Sequence, residues 1–176
     1  MKIATILAFI LTTSFLLVPN DSSAHNKVTA FISQNGELSF KIEKSAFYIC
    51  ISQTGGITGY GILKTGVVSY DFNGRIDKIG TVPISYDFNG RIDKIDSERI
   101  LYGFNGRVSD VGDTKIAFDF NNKVDKIGEQ KVSYGHNGKV EKISSATISY
   151  NFLGKVEKIT DDQGVVYLDF IGRTKE

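Results

Sequence analysis

The sequence predicts an all-β fold, an antiparallel meander of β-hairpin repeats in a sheet that twists or rolls, and three observations predict it. The stretch Ser69-Tyr-Asp-Phe-Asn-Gly-Arg-Ile-Asp-Lys-Ile79 returns unchanged as Ser85-Tyr-Asp-Phe-Asn-Gly-Arg-Ile-Asp-Lys-Ile95. A turn residue recurs every sixteen positions at Gly74, Gly90, Gly106, Asn122, Gly138 and Gly154, with a seventh copy ending at Gly172 after a two-residue insertion. Around each turn stand strand formers: a β-branched column (Val68, Ile84, Ile100, Ile116, Val132, Ile148, Val166) and an aromatic one (Tyr70, Tyr86, Tyr102, Phe118, Tyr134, Tyr150, then Leu168). A short internal repeat decides architecture before local propensity does, and strand formers around a Gly-containing turn signal read as hairpins.

The chain opens on the pattern of an export signal. Lys2 gives a positive start, Ile3 to Val18 is mostly apolar, and Ser22-Ser23-Ala24 offers a small-residue cleavage site, so cleavage is expected between Ala24 and His25. The apolar run falls short of the roughly 20 residues that span a bilayer. The expected organisation is a signal peptide over 1–24, an N-terminal β-hairpin cap over 25–66, and seven sixteen-residue hairpin repeats over 67–176. In the cap, Phe31 to Phe40 reads as a hairpin around Asn35-Gly36, and Phe47 to Ile62 as another around Gly55 and Gly56.

Within a repeat, Asp87-Phe88-Asn89-Gly90-Arg91 suits a three-residue loop closed by a G1 bulge, with Gly90 in the left-handed region. The fourth copy carries Asn122 in that column, and Asn is among the few residues that tolerate this backbone conformation. The loop sets Tyr86 opposite Ile92 and Asp87 opposite Arg91. Ile84, Tyr86 and Ile92 then share one face, while Ser85, Asp87, Arg91 and Asp93 share the other. Ile95, three positions beyond Ile92, requires a bulge or a second loop near Asp96-Ser97-Glu98. Two strands per copy give roughly fourteen strands over seven copies. A parallel β-solenoid is the alternative architecture, which the hairpin turn chemistry disfavours.

Composition narrows the function classes. A net charge of +1 with interspersed signs offers no electrostatic case for nucleic acid or an anionic membrane. Cys50, the single cysteine, reads as a small apolar strand residue, with pairing between chains the alternative. Short strands rich in Asp and Lys cannot supply the lipid-facing band of an outer-membrane barrel. Asp71 to Asp77 has the glycine of a calcium loop at the wrong position and a basic residue beside it, so no metal is expected. His25 and His136 lack ligand-spaced partners, and no nucleophile, zincin or P-loop motif occurs. The acidic column Asp77, Asp93, Asp125, Glu141 and Glu157 is a set of near-identical environments, whereas a catalytic carboxylate pair needs unlike ones.

Tyr86-Asp-Phe-Asn-Gly-Arg-Ile92, repeated at Tyr70 to Ile76, resembles the YD (Rhs-type) repeat: Tyr-Asp, two variable residues, Gly-Arg, then an aliphatic. The likeness covers roughly residues 66–174 and weakens after Tyr102 and Phe118. It implies a β-hairpin shell of the kind found in large secreted or cell-surface proteins, including toxin casings and adhesion molecules. The period here is shorter than the family's, and the chain is too small to enclose a toxin.

The expectation is an exported protein of the periplasm or cell exterior, not an enzyme and without cofactors, serving a structural or surface-interaction role. The alternative is a carbohydrate-binding module using aromatic rows. Candidate contact residues for an extracellular protein or glycan are Tyr70, Tyr86, Tyr102, Tyr134, Tyr150, Phe72, Phe88 and Phe104. Edge strands allow self-association.

Overall fold

The computed structural model describes residues 26–169. The expected signal segment, its cleavage site and the last turn residue, Gly172, lie outside the described residues. The chain is all-β, with seventeen strands in two sheets among the described residues.

The first sheet holds β1 (Lys27–Ser33), β2 (Leu38–Glu43), β3 (Phe47–Ser52), β4 (Ile57–Ile62) and β17 (Val166–Asp169) in the order β17-β1-β2-β3-β4. The second is a twelve-stranded meander in sequence order. It comprises β5 (Val68–Tyr70), β6 (Ile76–Ile79), β7 (Val82–Tyr86), β8 (Ile92–Ile95), β9 (Glu98–Tyr102) and β10 (Val108–Val111). It continues through β11 (Thr114–Phe118), β12 (Val124–Ile127), β13 (Gln130–Tyr134), β14 (Val140–Ile143), β15 (Ala146–Tyr150) and β16 (Val156–Thr160). The meander does not close into a barrel, and the antiparallel arrangement prevails over the solenoid: the one parallel pair among the described strands is β1 with β17.

Each of the six repeats in this sheet is one hairpin with the expected register. Tyr86 pairs with Ile92, the Asp87 N–H donates to the Arg91 carbonyl, and Gly90 has φ +77°. Both devices proposed for Ile95 are present. Ser85 pairs with Lys94 while Tyr86 pairs with Ile92, so Asp93 is the extra residue of a β-bulge. The bulge turns Ile92 and Ile95 to the same side, and both are buried. Copies then join through two-residue turns, such as Asp96-Ser97 between the paired Ile95 and Glu98. The first residue of that turn has positive φ, as a type II′ turn requires, and is Gly80, Asp96, Gly112, Gly128 or Ser144 along the series.

Two expectations are corrected. The sheet has twelve repeat strands among the described residues, not fourteen, because the described strand of the seventh copy leaves it: after the insertion at Asp161-Asp162, β17 crosses over and pairs with β1. Asp161 makes that crossing by accepting the backbone N–H groups of Gln163, Gly164, Val165 and Val166. The N-terminal hairpins are also not an end cap. They lie across the apolar face of the meander and share one core with it. Ala30, Ile32, Phe40, Ile42, Phe47, Ile49 and Ile51 from the first sheet pack with Ile95, Ile100, Val111, Ile127 and Ile143 from the second. A single-layer meander would leave this face wet; the five-stranded sheet covers it.

Both rims of this pairing are stitched. At the three-residue-loop rim, the N–H groups of Val108, Val124 and Val156 donate to the carbonyls of Gly55, Gln53 and Gln34. At the opposite rim Lys44, only 2% exposed, donates from Nζ to Asp113, to Asn26 Oδ1 at 2.9 Å and to Thr114 Oγ1 at 3.0 Å. A buried ammonium is tolerated because these oxygens replace its hydration.

Candidate functional site

The three-residue loops lie along one rim of the meander and are built by their own side chains. In the first copy Asp71 Oδ1 accepts the N–H groups of Asn73 and Arg75, and Oδ2 accepts Arg75 Nε at 2.7 Å. Asp87 does the same for Asn89 and Arg91. Where the column holds Gly103 or Gly135, the next asparagine takes over: Asn105 accepts from Arg107 N, and Asn137 from Lys139 N. The Arg75 side chain and loop amides hold the Asp71 carboxyl below the usual carboxylate range. At Asp87 burial pushes upward, and the hydrogen bonds from Arg91 and Asn89 outweigh it, so the net direction is again down. These carboxylates are consumed by the turn, which accounts for the calcium-like spacing. Among the described residues no cluster of three His, Cys, Asp or Glu side chains could hold a metal ion.

The two aromatic columns have opposite environments. The tyrosines interlock successive copies. Tyr86, Tyr102, Tyr134 and Tyr150 each donate their hydroxyl at 2.7 Å to a carbonyl of the preceding copy, from Ile76, Ile92, Val124 and Val140. The basic residue of the preceding loop covers each ring. Arg75 lies over Tyr86 at 4.2 Å, Arg91 over Tyr102 at 4.1 Å, Lys123 over Tyr134 at 4.9 Å and Lys139 over Tyr150 at 5.0 Å. These four candidates are half-buried and have one face occupied. Tyr70, in the first copy, has no preceding loop and is 61% exposed. Burial pushes the tyrosine hydroxyls up. Tyr86, with Tyr60 beside it, reaches about 12, and Tyr134, beside Asp119 and Asp125, is also raised.

The phenylalanines point the other way. Phe72, Phe88, Phe104, Phe120 and Phe152 occupy the first loop position and are 94–115% exposed, as fully solvated as a side chain can be. Equivalent positions in adjacent hairpins are two strand spacings apart, so the rings form a row with a step of about 10 Å. His136 holds the fifth place in the row and is also exposed. Arg75, Arg91, Arg107, Lys123, Lys139 and Lys155 run behind it along the same rim.

A rival site is a groove of about 650 Å³ over the first sheet, lined by Ser33, Gln34, Glu37, Ser52, Gln53 and Asp169 among others. Two of its hydroxyls take part in turns. Ser33 Oγ accepts the Glu37 N–H and Ser52 Oγ the Gly56 N–H. Among the described residues neither of these two hydroxyls hydrogen-bonds a base, so neither is set up as an activated nucleophile. Cys50 sits half-buried on the outer face of the same sheet, opposite Lys41 and Gly59, and burial raises its thiol.

The chain matches no protein-family model and no curated protein sequence. No helix among the described residues is long and apolar enough to cross a membrane. Sequence reasoning found both aromatic columns, and the place of the Phe column at the first loop position pointed to its greater exposure; it missed what occupies the tyrosine faces. The signal for that was the eleven-residue offset between Arg75 and Tyr86, which places the cation of one copy on the ring of the next. Lys44 carried no such signal, because its partners are 18, 69 and 70 residues away.

Proposed function

We propose that the protein is an exported, non-enzymatic β-repeat protein whose role is contact with a partner outside the cytoplasm, made by the row of phenylalanines. The observation that carries this reading is the complete exposure of five Phe rings at one rim. The loop does not need the phenyl ring at that position, since its turn is made by Asp, Asn and Gly, none of whose hydrogen bonds involves the first loop side chain. An exposed aromatic row at each loop tip is therefore a feature of the surface, and contiguous exposed apolar groups mark contact sites. Each ring can bury about 150–250 Å². Five approach the roughly 800 Å² that one partner contributes to a standard interface.

A linear row at a constant step suits an extended, repetitive partner. The export pattern at residues 2–24 and the resemblance to YD repeats, which occur in secreted and cell-surface proteins, support the same setting. A glycan is the second reading. Free Phe faces can stack sugar rings, and the Phe row has the free faces that Tyr86, Tyr102, Tyr134 and Tyr150 lack.

The test is co-sedimentation of the purified protein with intact cells and with insoluble cell-wall polysaccharide, comparing wild type with a Phe88→Ser, Phe104→Ser, Phe120→Ser variant. The expected result is an unchanged thermal melt and at least tenfold weaker binding. Competition by soluble oligosaccharide assigns the contact to a glycan, and its failure assigns it to protein. A triple variant that binds as well as wild type, or a wild type that binds neither material, overturns the proposal.

A further inference from the structure

The two ends of the meander are complementary halves of a junction that the chain makes five times within itself. Between copies, β6–β7, β8–β9, β10–β11, β12–β13 and β14–β15 pair in the same way. Four of these junctions are locked by a tyrosine hydroxyl reaching back to a carbonyl, and all five by a cation over an aromatic ring.

At the β5 end the receiving half of this junction is present without its mate. Tyr70 has neither a cation over its ring nor an acceptor for its hydroxyl among the described residues. Val68 is 40% exposed where its counterpart Ile84 is 4% exposed, and Val67 is 84% exposed. At the β16 end the donating half is present. Lys155 stands in the column of Arg75 and Lys139, and no tyrosine of a following copy reaches the Val156 carbonyl. Val156 and Ile159 are half-buried where Val140 and Ile143 are fully buried. Neither edge strand is paired on its outer side among the described residues. Nor does the β5 edge carry the Lys or Pro that usually protects a free edge: the second copy's Pro83 is Val67 in the first.

We infer that the β16 end of one copy of this chain binds the β5 end of a second copy, continuing the repeat across the interface. Tyr70 of the second copy donates to the Val156 carbonyl, and Lys155 covers its ring. Lys158 pairs with Val67 as Lys78 pairs with Pro83 and Lys142 with Thr147. Lys155 Nζ, which donates to Asn35 Oδ1 in the single chain, exchanges that partner for the Gly74 carbonyl. Lys123 and Lys139 make the equivalent bonds to Gly138 and Gly154. The contact is heterologous, so it propagates into a chain of copies or closes into a ring. It leaves the Phe row along one side of the assembly and does not depend on what that row binds.

Sedimentation velocity over a concentration series into the millimolar range tests this. Tyr70→Lys with Val67→Lys blocks the β5 end at exposed positions. Lys155→Glu with Ile159→Lys blocks the β16 end, and Lys155→Glu alone serves should the double variant melt early. Wild type is expected to associate with rising concentration, and each blocked variant to lose at least tenfold in association. Mixed together, the two variants should form a one-to-one dimer and stop, because each retains the end that the other lacks. A wild type that stays monomeric throughout overturns the inference. So does a blocked variant that still self-associates, or a mixture that gives no dimer.

Discussion

Arg91 lies over the ring of Tyr102, its guanidinium carbon 4.1 Å from the ring centroid, while the Tyr102 hydroxyl donates at 2.7 Å to the carbonyl of Ile92, the residue directly after the arginine. Because these two residues adjoin in the chain, one copy holds the next by a ring face and a ring edge at once. The fourth copy shows what the hydroxyl adds. There the ring is Phe118, its cation Arg107 sits farther off at 5.5 Å, and a buried Arg107 Nη1 has no partner. The loop residue Gly55 fills the space in front of that ring, and a Cβ at Gly55 would stand 2.4 Å from the Phe118 Cζ. Tyr102→Phe should cost about 0.5–1.5 kcal/mol, the net worth of one hydrogen bond. Urea denaturation reads this as a lower midpoint with an unchanged slope. No change in midpoint would mean that the hydroxyl adds nothing to the junction.

Gly106 isolates the backbone requirement of the loop. Its φ is +77°, and the nearest atom to an added Cβ is the flexible Arg91 Nη1 at 3.7 Å, so space is not the constraint. Gly106→Val should destabilise by about 1–2 kcal/mol, because a β-branched residue resists the left-handed region. Gly106→Asn should cost much less, since Asn122 already holds φ +64° in the same column. Equal losses for the two variants in chemical denaturation would refute the turn assignment.

The hairpin and its register were legible because they rest on local chemistry. The loop Asp87 to Arg91 carries its own turn signal, and the pairing of Tyr86 with Ile92 follows from loop length. The inward turn of Ile95 demanded a bulge that the residues could not place, because Asp93 looks like any solvated strand residue until its neighbours are paired. The five-stranded cover was less legible. Its strands alternate apolar and polar residues, which says that one face is buried but not against what. The departure of β17 was foreshadowed only by the two-residue insertion, whose carboxylate Asp161 shapes the crossing. The exposure of the Phe row was legible from its place at the first loop position, but whether adjacent loops would pack over the rings was not, because that depends on the spacing of neighbouring hairpins.

Stability should fall at both pH extremes, for separate reasons. The Tyr86 hydroxyl is raised to about 12 by burial and by Tyr60, and Tyr102, Tyr134 and Tyr150 are raised as well, all by burial first. The unfolded phenol ionises near about 10. Folded values above unfolded ones mean that this stability is intact below about pH 10 and is lost as pH rises through the folded values. At the acid end, the Lys44 hydrogen bond holds the Asp113 carboxyl below its ordinary value. That contribution is present above about pH 4 and is lost as pH falls through the lowered value. Thermal melts across pH should decline on the alkaline side together with the rise of phenolate absorbance. A phenolate signal already complete at the ordinary tyrosine pH, with no loss of melting temperature, would contradict the buried junctions.

A last relationship runs along the polar face of the repeats. Ser69 Oγ donates to Asp77 Oδ1 at 2.7 Å, and Ser85 Oγ to Asp93 Oδ1 at 2.6 Å, so the bulged aspartate is satisfied across its own hairpin. In the fourth copy the serine is Ala117, and the corresponding Asp125 Oδ1 is buried with no partner. A buried acceptor without a donor costs free energy that an unfolded chain recovers from water. Ala117→Ser restores the donor at a position whose side chain is exposed, with room for the extra oxygen. It should stabilise the protein by about 0.5–1.5 kcal/mol. Ser85→Ala should destabilise by a similar amount, leaving Asp93 in the state that Asp125 now occupies. Urea midpoints that move in opposite directions for the two substitutions would establish the pair as a repeating element of the hairpin. An Ala117→Ser variant no more stable than wild type would show that water already meets the demand of Asp125.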